Sequence, residues 1–260
     1  MNLPNRHIQN LLDCLTRSRL SFALYRLPWT DECYFVLQQS GDVEQLADIR
    51  ELNKKKGFVM APFLQSDHHP LIVIRPDITA YDWDEISEAI SSLECADALL
   101  TCKNQTEKLS PFVSEETDKE RYTQAFERFI TPLQKKHFQK LVLSRSSTKH
   151  INDDFSPLAA FVRACNNYPR MMIYLCHTPV SGTWVGSTPE ILLSGHGKEW
   201  HTVALAGTMP MQNEVMPMDW DKKNQDEQGY VADYIRRIIK KFGNKMNEKG
   251  PYTARAGQLV

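Results

Sequence analysis

The sequence predicts an α+β fold, on three observations. Apolar residues recur at helical spacing in several separate segments, strand-length runs rich in branched and aromatic residues lie between them, and no segment approaches the roughly 20 apolar residues of a membrane span. The elements follow in order. Ile8, Leu11, Leu12 and Leu15 mark a first helix face, and strand-like runs follow at 21–27, 33–38, 57–63 and 71–76. A second helix is predicted at 83–93, with Trp83, Ile86, Ile90 and Leu93 on one face. The polar, aperiodic run at 102–116 contains Pro111 and marks a junction, which divides the chain into an N-terminal α/β region at 1–115 and a second domain at 116–260.

Beyond the junction, Thr117 and Glu120 have capping-box spacing, and Tyr122, Phe126, Phe129, Ile130 and Leu133 form the face of a third helix, with Pro132 expected to kink or split it. KLVLSR at 140–145 reads as a strand. Ser156 and Pro157 supply an N-cap and a first-turn proline for a helix to about Asn167. Strands are predicted at 171–177, at 183–194 with a break at Pro189, and at 199–205, with a hairpin turn at Gly195–Gly197. The turn at Ala206, Gly207 and Thr208 closes a strand end, where backbone N–H groups are able to face a ligand. In the last helix, about 220–242, Val231, Tyr234, Ile235, Ile238 and Phe242 form an inward stripe that extends back to Glu227. A carboxylate on a core face costs several kcal/mol, on the order of an ion's desolvation penalty, unless a cation pairs with it.

Composition narrows the function. With 42% hydrophobic and 24% charged residues over 260 positions, the chain is able to bury a large core and is expected to be soluble and globular. A formal net charge of −1 provides no field for nucleic acid or an anionic membrane, so a small molecule is the expected partner. The N-terminus lacks the apolar run of a signal peptide. The six cysteines show no CxxC pair or zinc spacing, which suggests reduced thiols in a cytoplasmic protein. His68 and His69 have no third ligand at metal spacing and read as a solvated loop. Arg236, Arg237, Lys240, Lys241 and Lys245 complement the dipole of the last helix and keep its outer face wet, a simpler account of them than a nucleic-acid patch.

Four segments in order carry a sharper signal: KLVLSR at 140–145, GSTPE at 186–190, ALAGT at 204–208 and KNQDEQ at 223–228. Together they resemble the signature of the chorismate-binding enzymes, which include isochorismate, salicylate, anthranilate and aminodeoxychorismate synthases. The resemblance implies largely antiparallel sheets with helices packed outside, a monomer, and chorismate as substrate. It favours the isochorismate synthase branch. A lysine heads the KLVLSR strand in the water-adding branch, as Lys140 does here, where the anthranilate branch has glutamine. Aminodeoxychorismate synthases carry a lysine at the position of Ala206.

On this resemblance Lys140 is the general base and Glu190 the general acid, while Ala206, Gly207 and Thr208 bind substrate and Glu227 is a magnesium ligand. The reaction adds water at one ring carbon as the C4 hydroxyl departs from another, so it needs a base on one face and an acid on the other. Lys140 must be neutral to act as base, and Glu190 protonated to act as acid. Magnesium, a hard cation, suits the oxygen-rich ring carboxylate. Each residue also has an ordinary reading: Lys140 as a solvated strand lysine, Glu190 as the start of a strand after Pro189, Glu227 as a helix residue paired with Lys223 at i−4.

The residues at 250–260 resemble the approach to a strand after which that family continues much further, through a second magnesium-binding glutamate and the groups that hold the pyruvyl carboxylate. The chain is therefore expected to be C-terminally truncated, with little or no turnover, and with exposed edges that invite association. A salicylate synthase and a non-catalytic remnant of the family are the alternatives. Menaquinone and siderophore pathways both fit.

Overall fold

The structure, a computed structural model, describes residues 1–39, 42–93, 115–152, 154–211, 215–243, 245–255 and 257–260. The junction expected across 102–116 falls almost wholly outside these residues. The chain forms two compact units, Met1–Gln105 with Asp154–Pro189, and Thr106–Asp153 with Glu190–Val260. Residues 154–189, assigned from the sequence to the second domain, thus belong with the first unit, because two strands from this segment complete that unit's sheet.

The first unit is layered. Helices α1 (Arg6–Leu15), α2 (Asp82–Ser91) and α4 (Pro157–Asn167) carry its helical stripes. A five-stranded antiparallel sheet runs in the order β6-β2-β1-β7-β8, from β1 (Ser21–Arg26), β2 (Tyr34–Gln38), β6 (Ile78–Tyr81), β7 (Met172–Thr178) and β8 (Gly182–Thr188). Leu24 stands opposite both Phe35 and Leu175, which fixes the register of the three central strands. Side chains alternate across the pleat. Phe22, Leu24, Phe35, Leu37, Ile173 and Leu175 meet Leu11, Leu12, Ile86, Ile90, Leu158 and Phe161 of the helices in one cluster. Their strand neighbours Ala23, Val36 and Cys176 face the other way, onto Ile72 and Ile74. Those two belong to the middle strand of a three-stranded antiparallel sheet of β3 (Glu44–Leu46), β5 (Leu71–Ile74) and β4 (Phe58–Met60).

Side-chain caps start α1 and α4, the second at the Ser156 expected from the sequence, while α2 begins without one. Asn5 accepts from the Ile8 N–H, and Ser156 from the Ala159 N–H with Pro157 in the first turn. The short strands β3 and β6 were not legible in the sequence, since runs of three or four residues carry too few alternations to register.

Arg26 ties the unit together across the sequence. Only 2% exposed, it has Nη1 donating to the carbonyls of Pro169 (2.8 Å), Leu27 and Thr30, and Nη2 to those of Tyr168 (2.7 Å) and Met171 (2.9 Å). No carboxylate takes part in these bonds; backbone dipoles alone satisfy much of the charge.

Cys33, Cys165 and Cys176 are buried thiols. Burial pushes Cys33 and Cys176 up to about 12 and raises Cys165 as well. At pH 8 all three are expected to react with iodoacetamide at least about 100-fold more slowly in the native protein than after denaturation, because both thiolate fraction and access are lost. Mass mapping of labelled peptides checks this, and rapid native labelling would contradict it.

The second unit holds α3 (Glu115–Gln134), the hairpin of β9 (Ser194–His196) and β10 (Glu199–His201), and α5 (Lys222–Ile239). Pro132 lies in the last turn of α3 and does not split it. The hairpin turns through Gly197, at φ 61°, as the sequence predicts. Two expectations are corrected here. KLVLSR and the residues after it to 150 have no regular secondary structure, since no strand among the described residues pairs with them. The expected inward stripe of α5 is not buried: Tyr234 is 57% and Phe242 87% exposed, and Asn224 is the residue of that helix that is buried. Val231, Ile235 and Ile238 of the same stripe are half-buried, so the stripe is covered only in part. Among the described residues no helix is long and apolar enough to cross a membrane.

Candidate active site

All six residues singled out in the sequence fall in the second unit. Lys140 and Glu227, 87 positions apart, meet there: Lys140 Nζ donates to Glu227 Oε1 at 3.0 Å. Both side chains are about one-third exposed. The ordinary helical pairing is present as well, with Lys223 Nζ at 3.7 Å from Glu227 Oε2. The hydrogen bond from Lys140 is the main reason the Glu227 carboxyl lies below its usual value; partial burial opposes it, and Lys223 adds to it. Glu227 therefore does attract a cation, but the one present is a lysine expected to serve as a base.

Glu190 follows Pro189 directly after β8 and is exposed. The glycine of its GSTPE segment has a packing reason. Gly186 lies opposite Tyr174 in the β7–β8 ladder, and a Cβ there would come within 2.2 Å of the tyrosine ring. Residue 186 must be glycine for Tyr174 to lie across the strand.

The turn at Ala206, Gly207 and Thr208 is fixed from both sides. Gly207 takes φ +78°, and a Cβ would meet the Asn224 carbonyl oxygen at 3.0 Å, so close approach and backbone angle both call for glycine. Just past the turn, Met209 exchanges backbone hydrogen bonds with Val260, and Met211 N–H donates to the Gln258 carbonyl. The Thr208 N–H, expected to face a ligand, instead donates to Asn224 Oδ1 at 3.2 Å. That expectation is corrected, because the helix following the turn supplies an acceptor of its own.

Asn224 is the site residue the sequence reading passed over. It sits one helical step before Glu227 on the same face, so the stripe carried one step further would have reached it.

Two surface grooves, of about 500 Å³ along α3 (Gln124, Arg128, Thr131) and about 240 Å³ over β2 and β6 (Tyr25, Tyr34, Tyr81), are lined by none of the six residues. Among the described residues no three His, Cys, Asp or Glu side chains cluster to hold a metal. Glu227 would be a single carboxylate ligand, a donor set compatible with a cation that keeps most of its waters and takes further oxygens from its substrate.

Residues 50–255 match the family described as chorismate binding enzyme. No curated protein matches the chain. Among solved structures, the chain is similar to the menaquinone-specific isochorismate synthase MenF of Escherichia coli, at 14% identity and a TM-score of 0.48, over 92% of this chain and 61% of that one. It thus spans about three-fifths of the length of that relative. Since the family match runs through most of the chain and includes all four of the segments noted in the sequence, the chain belongs to the chorismate-binding enzymes.

Proposed function

We propose that this chain carries the water-adding half-site of an isochorismate synthase, converting chorismate to isochorismate. The observation that supports this is the meeting of Lys140 with Glu227 at 3.0 Å, since these two residues, 87 positions apart, are the ones to which the family resemblance gives the roles of base and metal ligand. In this mechanism Lys140, neutral, takes a proton from water as the water oxygen bonds to the ring. Both ring double bonds shift in the same direction as the water oxygen bonds to C2, and the C4 hydroxyl leaves as water with a proton from Glu190. Magnesium, held by Glu227, would neutralise the ring carboxylate. Gly207 and its neighbours Ala206 and Thr208 shape the wall against which that carboxylate lies. Alanine at 206 leaves this wall without the lysine of the aminodeoxychorismate branch, which supports water as nucleophile.

The arrangement also supports weak turnover by the chain itself. Lys140 is occupied by its contact with Glu227, and a one-third-exposed site admits water that an enclosed one would exclude. The test is to supply chorismate and Mg²⁺ in ¹⁸O-labelled water, with binding followed by calorimetry and products by chromatography. Binding with slow formation of isochorismate labelled in its new hydroxyl is expected. Absence of chorismate binding by a folded chain, or ammonia-dependent anthranilate as the product, would overturn the proposal, and salicylate with pyruvate would move it to the salicylate synthase class.

A further inference from the structure

The turn that faces substrate and the helix that carries Glu227 are separate in sequence, and one buried amide joins them. Asn224 is 6% exposed. Its Oδ1 accepts from the Thr208 N–H at 3.2 Å, and its Nδ2 donates to Asp221 Oδ2 at 3.1 Å. Asp221 is the N-cap of α5, and its Oδ1 accepts from the Asn224 N–H at 2.8 Å. The partners fix the orientation of the amide, since a backbone N–H requires an oxygen and a carboxylate requires a donor. Gly207 closes on the same residue, with its missing Cβ leaving 3.0 Å to the Asn224 carbonyl oxygen. Glu227 follows three residues later on the same helical face.

We infer that Asn224 is a positioning residue, which sets the Gly207–Thr208 turn at a fixed distance from Glu227 so that one substrate carboxylate meets both. This rests on the function proposed above. No other side chain does the same work at this position. Aspartate keeps the acceptor but sets two carboxylates 3.1 Å apart, alanine removes both contacts, and glutamine is one methylene too long. Asn224 does not touch the reacting atoms; its effect is on where the turn lies, and misplacement of about 1 Å costs as much as 100-fold in catalysis.

A reciprocal swap separates positioning from simple capping. In the double variant Asp221→Asn with Asn224→Asp, every bond is retained with its roles exchanged. The side chain at position 221 still caps the helix through its oxygen and now donates through its amide to the carboxylate at position 224, which accepts from Thr208. Asparagine and aspartate are comparable N-caps, so the helix start is unaffected. Asn224→Asp alone is expected to weaken chorismate binding about tenfold, and the swap to restore it within about twofold, a coupling that independent effects would not give. Asn224→Ala is expected to raise hydrogen exchange at the Thr208 amide at least about tenfold while α5 amides keep their protection, and Asp221→Asn does not rescue it.

Two outcomes overturn the inference itself: a swap no tighter-binding than Asn224→Asp alone, or a Thr208 amide whose exchange is unmoved in Asn224→Ala. A wild-type chain that binds no chorismate overturns the proposed function, and the positioning role falls with it. The exchange measurement needs no ligand, so the two failures are told apart.

Discussion

Lys140→Gln is expected to remove formation of isochorismate, with a loss of roughly 10²–10⁴-fold, the usual contribution of a positioned general base. Glutamine approximates the lysine stem, hydrogen-bonds, and has no proton-accepting nitrogen. The variant also removes the principal partner of Glu227. In the wild type the carboxyl is held below its usual value, so what the pair contributes to stability is fully present above the ordinary carboxylate pKa. It is lost as pH falls through the depressed one. In Lys140→Gln the titration midpoint of Glu227 is expected to move up toward the ordinary value, with Lys223 at 3.7 Å keeping part of the shift. Carbon-detected NMR of the Glu227 carboxyl reads this without any turnover. A midpoint unchanged in the variant would refute the ion pair, and undiminished isochorismate formation would refute the base.

Arg26→Leu is expected to destabilise the first unit by roughly 3 kcal/mol. Leucine fills part of the space but takes the guanidinium away from the carbonyls of Tyr168, Pro169 and Met171. The Pro169 and Tyr168 carbonyls keep the N–H groups of Trp29 and Met171, so what is lost is the bonds to a charged donor, about 1.5–3 kcal/mol apiece, partly offset because the charge no longer has to be buried. Arg26→Lys recovers only part of this, since a single ammonium cannot reproduce a planar fork that reaches five oxygens. Urea denaturation followed by circular dichroism measures the loss as a lower midpoint at unchanged slope. A stability within about 0.5 kcal/mol of wild type would show that these bonds contribute nothing net.

The helical stripes of α1 and α2 were legible because each is written in residues three and four apart, and α4 was legible from its Ser156–Pro157 start. Ile8, Leu11, Leu12 and Leu15 announce their shared face without reference to the rest of the chain. The same rule misled in α5, where Tyr234 and Phe242 have the phase of a buried face and are exposed. Periodicity states which residues share a side of a helix, and a second element decides whether that side is covered. The KLVLSR run failed for a related reason. Its branched residues suit a strand, but a strand exists only when a neighbour completes its hydrogen bonds.

The candidate site divides in the same way. The sequence by itself determined the chemistry on offer: a lysine, two carboxylates, a glycine turn and the ordered segments that place the chain among the chorismate-binding enzymes. The tertiary structure alone decided which of them meet. Lys140 reaches Glu227 across 87 positions, Asn224 claims the Thr208 N–H that was expected to meet a ligand, and Arg26 clamps the carbonyl of Tyr168, 142 residues away. Local spacing encodes the face a residue occupies, because helix and strand geometry repeat over a few positions. The partner across that face depends on how the whole chain closes, and no local period records it.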